Sequence, residues 1–246
     1  MSLLTATAMA FREQGRRPLV PILLIVIPAF IVSWSVATTQ AKPHRILLPG
    51  GDWVTTTMKD LHGPEMAKFS VAVVSALVGT FVMRAALQGD RRLVAAGLRA
   101  RDAIAARLAV LAAAVAIAVA VSALATSLNF SPVSWAPVIP ALLLVGLTYG
   151  AIGALAGALL DKLAATYLIL FLLLTDLSLV QTPMFHAEPL AYAWLLPGYG
   201  PTRLMLDGAF SGGFDAAGPL ALALTWLASL SIALCVALRR AVAPRA

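Results

Sequence analysis

At 246 residues, with 61% hydrophobic and only 12% charged residues and a mean hydropathy of +0.91, the chain lies outside the range of soluble domains, where about a quarter of residues are charged. Its formal charge of +7 accompanies no soluble domain or recognition motif, which argues against nucleic acid as a partner. The single cysteine, Cys235, excludes a disulfide framework and a cysteine-built metal site.

Residues 2–17 set Leu3, Leu4, Ala8, Met9 and Phe11 ahead of Arg12, Arg16 and Arg17, a pattern suited to a helix lying in the headgroup region. A charged n-region before an apolar run also fits a signal peptide, with Thr39-Gln40-Ala41 as a passable cleavage site. The interfacial elbow is the reading adopted. The first span is expected at about 18–36, kinked in the middle by Pro28. A polar loop of about 30 residues follows, broken at Gly50-Gly51 and Gly63-Pro64. Spans two and three are expected at 69–86 and 109–128.

Between them, the segment 84–107 carries six arginines and two aspartates, and the flanking apolar runs hold it at a membrane surface. Span four, 137–160, carries Gly146, Gly150, Gly153 and Gly157. Spacings of four, three and four place them on one helical stripe, a pattern of small residues that lets helices cross closely or forms a gate or substrate wall. Span five is expected at 163–180 after a turn at Asp161-Lys162. From 181 to 219 the pattern breaks: the apolar run 184–196 is too short to cross a bilayer of about 30 Å, and Pro183, Pro189, Pro197 and Pro201 interrupt the region. It reads as a re-entrant or outer-surface helical hairpin. Span six is expected at 220–238.

Lysine and arginine fix the expected orientation. The termini and the loops after spans two and four hold 13 of them against 5 on the other side, so the positive-inside rule puts both termini in the cytoplasm of a cell-membrane protein. Trp34, Trp135 and Trp194 fall at the outer boundary as half of an aromatic belt.

Several chemistries leave no mark. There is no HExxH pair and no phosphate-cradling GxxxxGK[ST] loop, so ATP, if it drives this protein, binds another chain. Asp176 is the one acid inside an expected span. At the bilayer centre it would cost roughly 2.5–3.5 kcal/mol, less near the surface, so it reads either as paired with Gln181 or a hairpin backbone group, or as part of a substrate pathway with Pro28. His186, Glu188 and Asp207 stand at no recognisable catalytic spacing.

The order of parts resembles the permease subunits of type-2 ABC exporters along nearly the whole chain. The segments that carry the likeness are GDRRLVAAGLRARDAIAARL (Gly89 to Leu108) and LPGYGPTRLMLDGAF (Leu196 to Phe210). They look like the family's coupling-helix loop and its segment before the last span. Gln88-Gly89-Asp90-Arg91-Arg92 stands where the family has an acid-rich start with a Gly-Thr pair. The resemblance implies an all-α integral membrane protein with six transmembrane helices, an N-terminal amphipathic elbow, a cytoplasmic coupling helix and an outer re-entrant hairpin before the last span.

It also implies a complex with two ABC ATPase subunits, which bind ATP and Mg while this chain binds no cofactor, and with a second permease, either a copy or a paralogue. Asp90, Arg91, Arg92, Leu93, Leu98, Arg99, Arg101 and Asp102 would then form the ATPase contact. On that reading Asp90 caps the coupling helix, Leu93, Val94 and Leu98 supply an apolar ridge, and the arginines meet acids on the partner; the alternative role of these arginines is to anchor to anionic lipid and enforce topology. The cargo would be a hydrophobic or amphiphilic small molecule or a lipid. The competing reading is a self-sufficient ion-coupled carrier or channel using Asp176; an adjacent reading frame encoding an ATPase discriminates the two.

Overall fold

A computed structural model describes residues 3–15 and 19–242. Ser2, Arg16 and Arg17 of the expected elbow, Pro18 of the first span and Arg245 lie outside the described residues. The elements in order are α1 (Leu3–Gly15), α2 (Leu19–Thr38), β1 (Pro43–Leu47), β2 (Trp53–Thr57), α3 (Met58–Ala95), α4 (Ala100–Ser127), α5 (Trp135–Leu159), α6 (Lys162–Leu173), a π-helical stretch (Leu174–Val180), a 3-10 turn (Ala193–Leu195), α7 (Tyr199–Phe210) and α8 (Ala217–Val242). Six helices are long and apolar enough to cross a membrane: α2, α3, α4, α5, α6 with its π-helical continuation, and α8.

The expected spans two and three begin later in sequence than the helices that contain them. Gly63-Pro64 was expected to break a loop, yet both residues lie inside α3. The helix starts earlier because Thr57 caps it: its hydroxyl accepts from the Asp60 backbone N–H at 3.1 Å and donates to the Asp60 carboxylate at 2.7 Å, a local variant of the capping box. Leu61 and Ala67, both buried, supply apolar contacts on either side of Pro64 that offset the cost of a proline inside a helix, about 3 kcal/mol.

The preceding loop is also more ordered than its polarity implies. β1 and β2 pair antiparallel from Pro43↔Thr57 to Leu47↔Trp53, and the Arg45 guanidinium covers the Trp53 ring at 4.7 Å. Ile46 and Leu48 turn inward against Leu61 and Leu206. This small hairpin docks on the segment after α6, through Leu47 N–H to the Ala187 carbonyl at 3.0 Å and the His44 Nε2 contact with the Pro183 carbonyl at 2.8 Å.

α3 and α5 form the hub. The α3 span buries 72% of its most apolar window, whereas the α8 span buries only 11%, so α8 is peripheral. The glycine stripe explains how close the hub helices come. A Cβ on Gly153 or Gly157 would overlap the carbonyl oxygens of Ala76 and Thr80 on α3, and one on Gly79 would overlap that of Gly150. Gly146 and Gly150 sit between α3 and α4: a Cβ on Gly146 would lie 2.6 Å from Val115 Cγ1 and 3.0 Å from Val71 Cγ1, and one on Gly150 would lie 3.2 Å from Leu111 Cδ1. Thr80 adds a hydroxyl bond to the Gly153 carbonyl at 3.0 Å.

The region 181–219 departs from the expected hairpin. Residues 184–192 form turns and irregular chain, and the helix of this region is α7, buried along most of its length. The prolines at 183 and 189 stop a helix from forming over the apolar run. Pro201 falls in the first turn of α7, where its missing N–H costs little.

Candidate functional site

Two groups of charged residues stand out, one buried beside α7 and one at the α3–α4 turn.

The buried group begins at Glu65 and Lys68, one turn apart on α3 and 2% and 1% exposed. Lys68 Nζ lies 2.8 Å from Glu65 Oε2 and donates to Thr202 Oγ1 on α7 at 3.1 Å. Thr202 in turn donates to the Gly198 carbonyl at 2.7 Å. From the same Gly198, the backbone N–H donates to Asp176 Oδ2 at 2.9 Å. Asp176, fully buried in the π-helical stretch, also accepts from the Tyr149 hydroxyl on α5 and from Gln181 Nε2 at 3.0 Å. Gln181 Nε2 reaches on to the Ala193 carbonyl at 3.0 Å.

A continuous chain of hydrogen bonds therefore joins α3, α5, α7 and the segment following α6. Gly198 has to be glycine: a Cβ there would sit 2.5 Å from Leu177 Cδ2 and 2.9 Å from Asp176 Oδ1. The wider turns of the π-helical stretch are of a kind that recurs at functional sites.

Asp176 thus has the partners expected from sequence, Gln181 and a backbone N–H, together with Tyr149. Pro28 is buried in α2, and none of the partners of Asp176 comes from α2, so the two expected pathway residues are not brought together. Lys68 and Glu65 fall in the sequence stretch expected to be the polar loop between the first two spans, but lie inside α3. Their i, i+3 spacing at the edge of an apolar run was the available signal, because a charged pair one turn apart on a helix can bury itself.

α7 carries a second polar pair outside the spans. Arg203 Nη1 donates to the Leu47 carbonyl at 2.7 Å, and burial lowers the proton affinity of its guanidinium. Asp207 Oδ2 accepts from the Asp215 backbone N–H at 3.2 Å. Burial, above all, pushes its carboxyl above the usual range. His186 and Glu188 line a small pocket with Gln181 and Arg203, and Asp207 is not among its walls. Among the described residues no three His, Cys, Asp or Glu side chains gather as metal ligands.

At the other group, α3 runs through Asp90, Arg91 and Arg92 to Ala95. Asp90 is therefore interior to a helix and does not cap the next one; Arg99 occupies the N-cap of α4, with no side-chain capping bond. The reason is a strong helix stop downstream. Gly97 takes φ +99°, its N–H bonds the Val94 carbonyl at 3.0 Å, and the Leu98 N–H bonds the Leu93 carbonyl at 2.9 Å. This is the Schellman pattern, in which the residue after the left-handed glycine folds its apolar side chain back on the helix.

Leu98 is accordingly buried and does not join the expected apolar ridge, while Leu93 and Val94 are half-buried. Arg92, Arg99 and Arg101 are exposed. Arg101 Nε lies 3.7 Å from Asp102 Oδ1, and Arg107 is buried within α4. The side chains of Asp90 and Arg91 lie outside the described residues.

No family model matches the chain, and no curated protein is significantly similar to it. The fold and the two charged groups therefore define the class only as a polytopic helical protein with six helices suited to crossing a membrane.

Proposed function

We propose that the chain is the membrane-spanning permease subunit of an ATP-driven exporter of the type-2 ABC kind, seated in the cell membrane with both termini in the cytoplasm. The observation that carries this reading is the α3–α4 turn. It joins two candidate spans, is stiffened by its own backbone bonds, and holds three exposed arginines on one short stretch while Leu98 anchors it from below. A stiff, basic projection of this form suits transmission of force from an acidic groove on a separate ATPase, better than a loop whose only task is to connect.

α1 fits the elbow role, with Met9 and Phe11 exposed and Ala10 packed into the cluster of α2, α3 and α4. ATP and Mg belong to the partner ATPase. α2, α6 and α8 carry large exposed apolar side chains, suited to lipid, to a second permease and to a hydrophobic or amphiphilic cargo. The 181–216 segment, docked on α3, α5 and the β-hairpin, serves as the outer lid.

A second reading, a self-sufficient ion-coupled carrier, draws on the buried acids Glu65 and Asp176. It is the weaker one, because both oxygens of Asp176 are already engaged by donors from three separate segments, an arrangement that joins helices.

The test is purification of the tagged chain from native membranes in mild detergent, for the wild type and for an Arg92→Glu/Arg101→Glu variant. Co-purification of a P-loop ATPase with the wild type, and its loss with the variant while insertion is retained, is expected. Recovery of the intact chain with no ATPase shifts the assignment to the carrier.

A further inference from the structure

Arg84 and Lys162 meet where α3, α5 and α6 come together at one end. Arg84 is the penultimate residue of the apolar stretch Met58–Ala85, and Lys162 is the first of Lys162–Val180, so both stand at ends of helices suited to crossing a membrane. Each is fixed by the protein. Arg84 Nη1 donates to the Leu160 carbonyl just past α5, and Lys162 Nζ sits over the Phe81 ring, 5.8 Å from its centroid. Phe81 and Arg84 are one turn apart on α3, so the two cations occupy adjacent positions.

The acid nearest in sequence is already engaged. Asp161 Oδ1 accepts the Leu163 and Ala164 backbone N–H groups, each at 2.9 Å. The Ala164 bond, more than any other cause, holds this carboxyl below the usual range, and the charge of Arg84 contributes less. Among the described residues, neither Arg84 nor Lys162 has a carboxylate within ion-pair distance. Near them in sequence Leu159, Tyr167 and Leu163 are 70%, 69% and 68% exposed, an apolar flank next to two cations that no carboxylate pairs at close range.

We propose that Arg84 and Lys162 form a binding site for the phosphate of an anionic phospholipid, whose acyl chains lie along Leu159, Leu163 and Tyr167. The guanidinium offers a planar fork to the phosphate oxygens and the ammonium a mobile point charge. Depth separates this site from the basic turn. Arg92 lies seven residues beyond Ala85, about 10 Å further along the helix axis, beyond the layer where lipid phosphates sit. A lipid fits these two side chains better than an acidic protein does, because the adjoining surface is apolar and faces hydrocarbon.

The experiment uses the full chain in mild detergent, titrated with phosphatidylglycerol or phosphatidylcholine, with retained lipid counted by native mass spectrometry. Phosphatidylglycerol is expected to stay bound under conditions that strip phosphatidylcholine. Arg84→Gln with Lys162→Gln should weaken its binding on the order of 10- to 30-fold, the contribution of two basic contacts near a surface. Arg239→Gln with Arg240→Gln removes the same formal charge from the exposed end of α8 and should leave binding unchanged.

Equal losses in the two double variants would show diffuse attraction and overturn the site, as would displacement of the lipid by millimolar inorganic phosphate that binds with the same dependence on Arg84 and Lys162. The single Lys162→Gln change alters an exposed side chain and its contact with the Phe81 ring. It should weaken binding measurably even if the double variant fails to assemble, and unchanged binding would also overturn the site.

Discussion

Replacing Lys68 by Met tests whether the buried charge network holds α7 to the core. The substitution keeps the volume of the side chain, removes its ammonium, and leaves Glu65 buried with neither oxygen partnered, since Oε1 already has no hydrogen-bond partner. Thr202 loses a donor but keeps its own bond to Gly198. Removing one member of a buried ion pair costs about 3–5 kcal/mol, because the remaining charge is uncompensated.

For a chain of this size each kcal/mol moves the midpoint by roughly 2–4 °C, so a fall in Tm of about 6–20 °C is expected. The control is the double change Lys68→Met with Glu65→Leu. It removes both charges and should recover most of the loss, because a buried ion pair replaced by apolar groups is close to neutral. The assay is thermal unfolding in one fixed detergent, followed by tryptophan fluorescence and by loss of the monodisperse peak in size exclusion. An unchanged Tm in the single variant, or a double variant as unstable as the single one, would refute the view that charge pairing secures this joint.

The remaining predictions concern packing and pH. Gly153→Leu forces a side chain into the Ala76 carbonyl on α3 and should destabilise by at least the 1–3 kcal/mol of ordinary overpacking; Gly218→Leu, at an open position, serves as the control, and the yield of folded protein after detergent extraction reads the difference. Asp207 has its folded-state carboxyl raised by burial, so between the unfolded value and the raised one the folded state holds more protons. Its contribution to stability is complete below the ordinary carboxylate range and declines as pH rises through the raised value. Asp207→Asn should flatten that decline in a series of Tm measurements across acidic pH, and an unaltered pH profile would count against the assignment.

The apolar runs alone determined the six span-length helices, since no stretch of twenty apolar residues is soluble and the backbone inside a bilayer has to satisfy its own hydrogen bonds. The glycine stripe was legible for the same reason: the spacing of small residues is visible along one chain, and it marked a close crossing of α5 with its neighbours. Asp176 was legible as a lone acid in a span, and Gln181, five residues on, was near enough in sequence to be named as its partner.

What lay beyond the sequence depended on distant contacts. Glu65 and Lys68 resembled loop charges because nothing local says that Thr202, more than a hundred residues away, supplies the third group that lets them stay buried. Gly63-Pro64 resembled a break because the cap at Thr57 and the packing of Leu61 together overrule it. Leu98 resembled part of an exposed ridge, and only the left-handed turn at Gly97 decides that it points inward. The sequence thus set which segments prefer lipid. The tertiary structure decided which charges that preference could afford to bury, because a buried charge is tolerated only where the fold brings its partners to it.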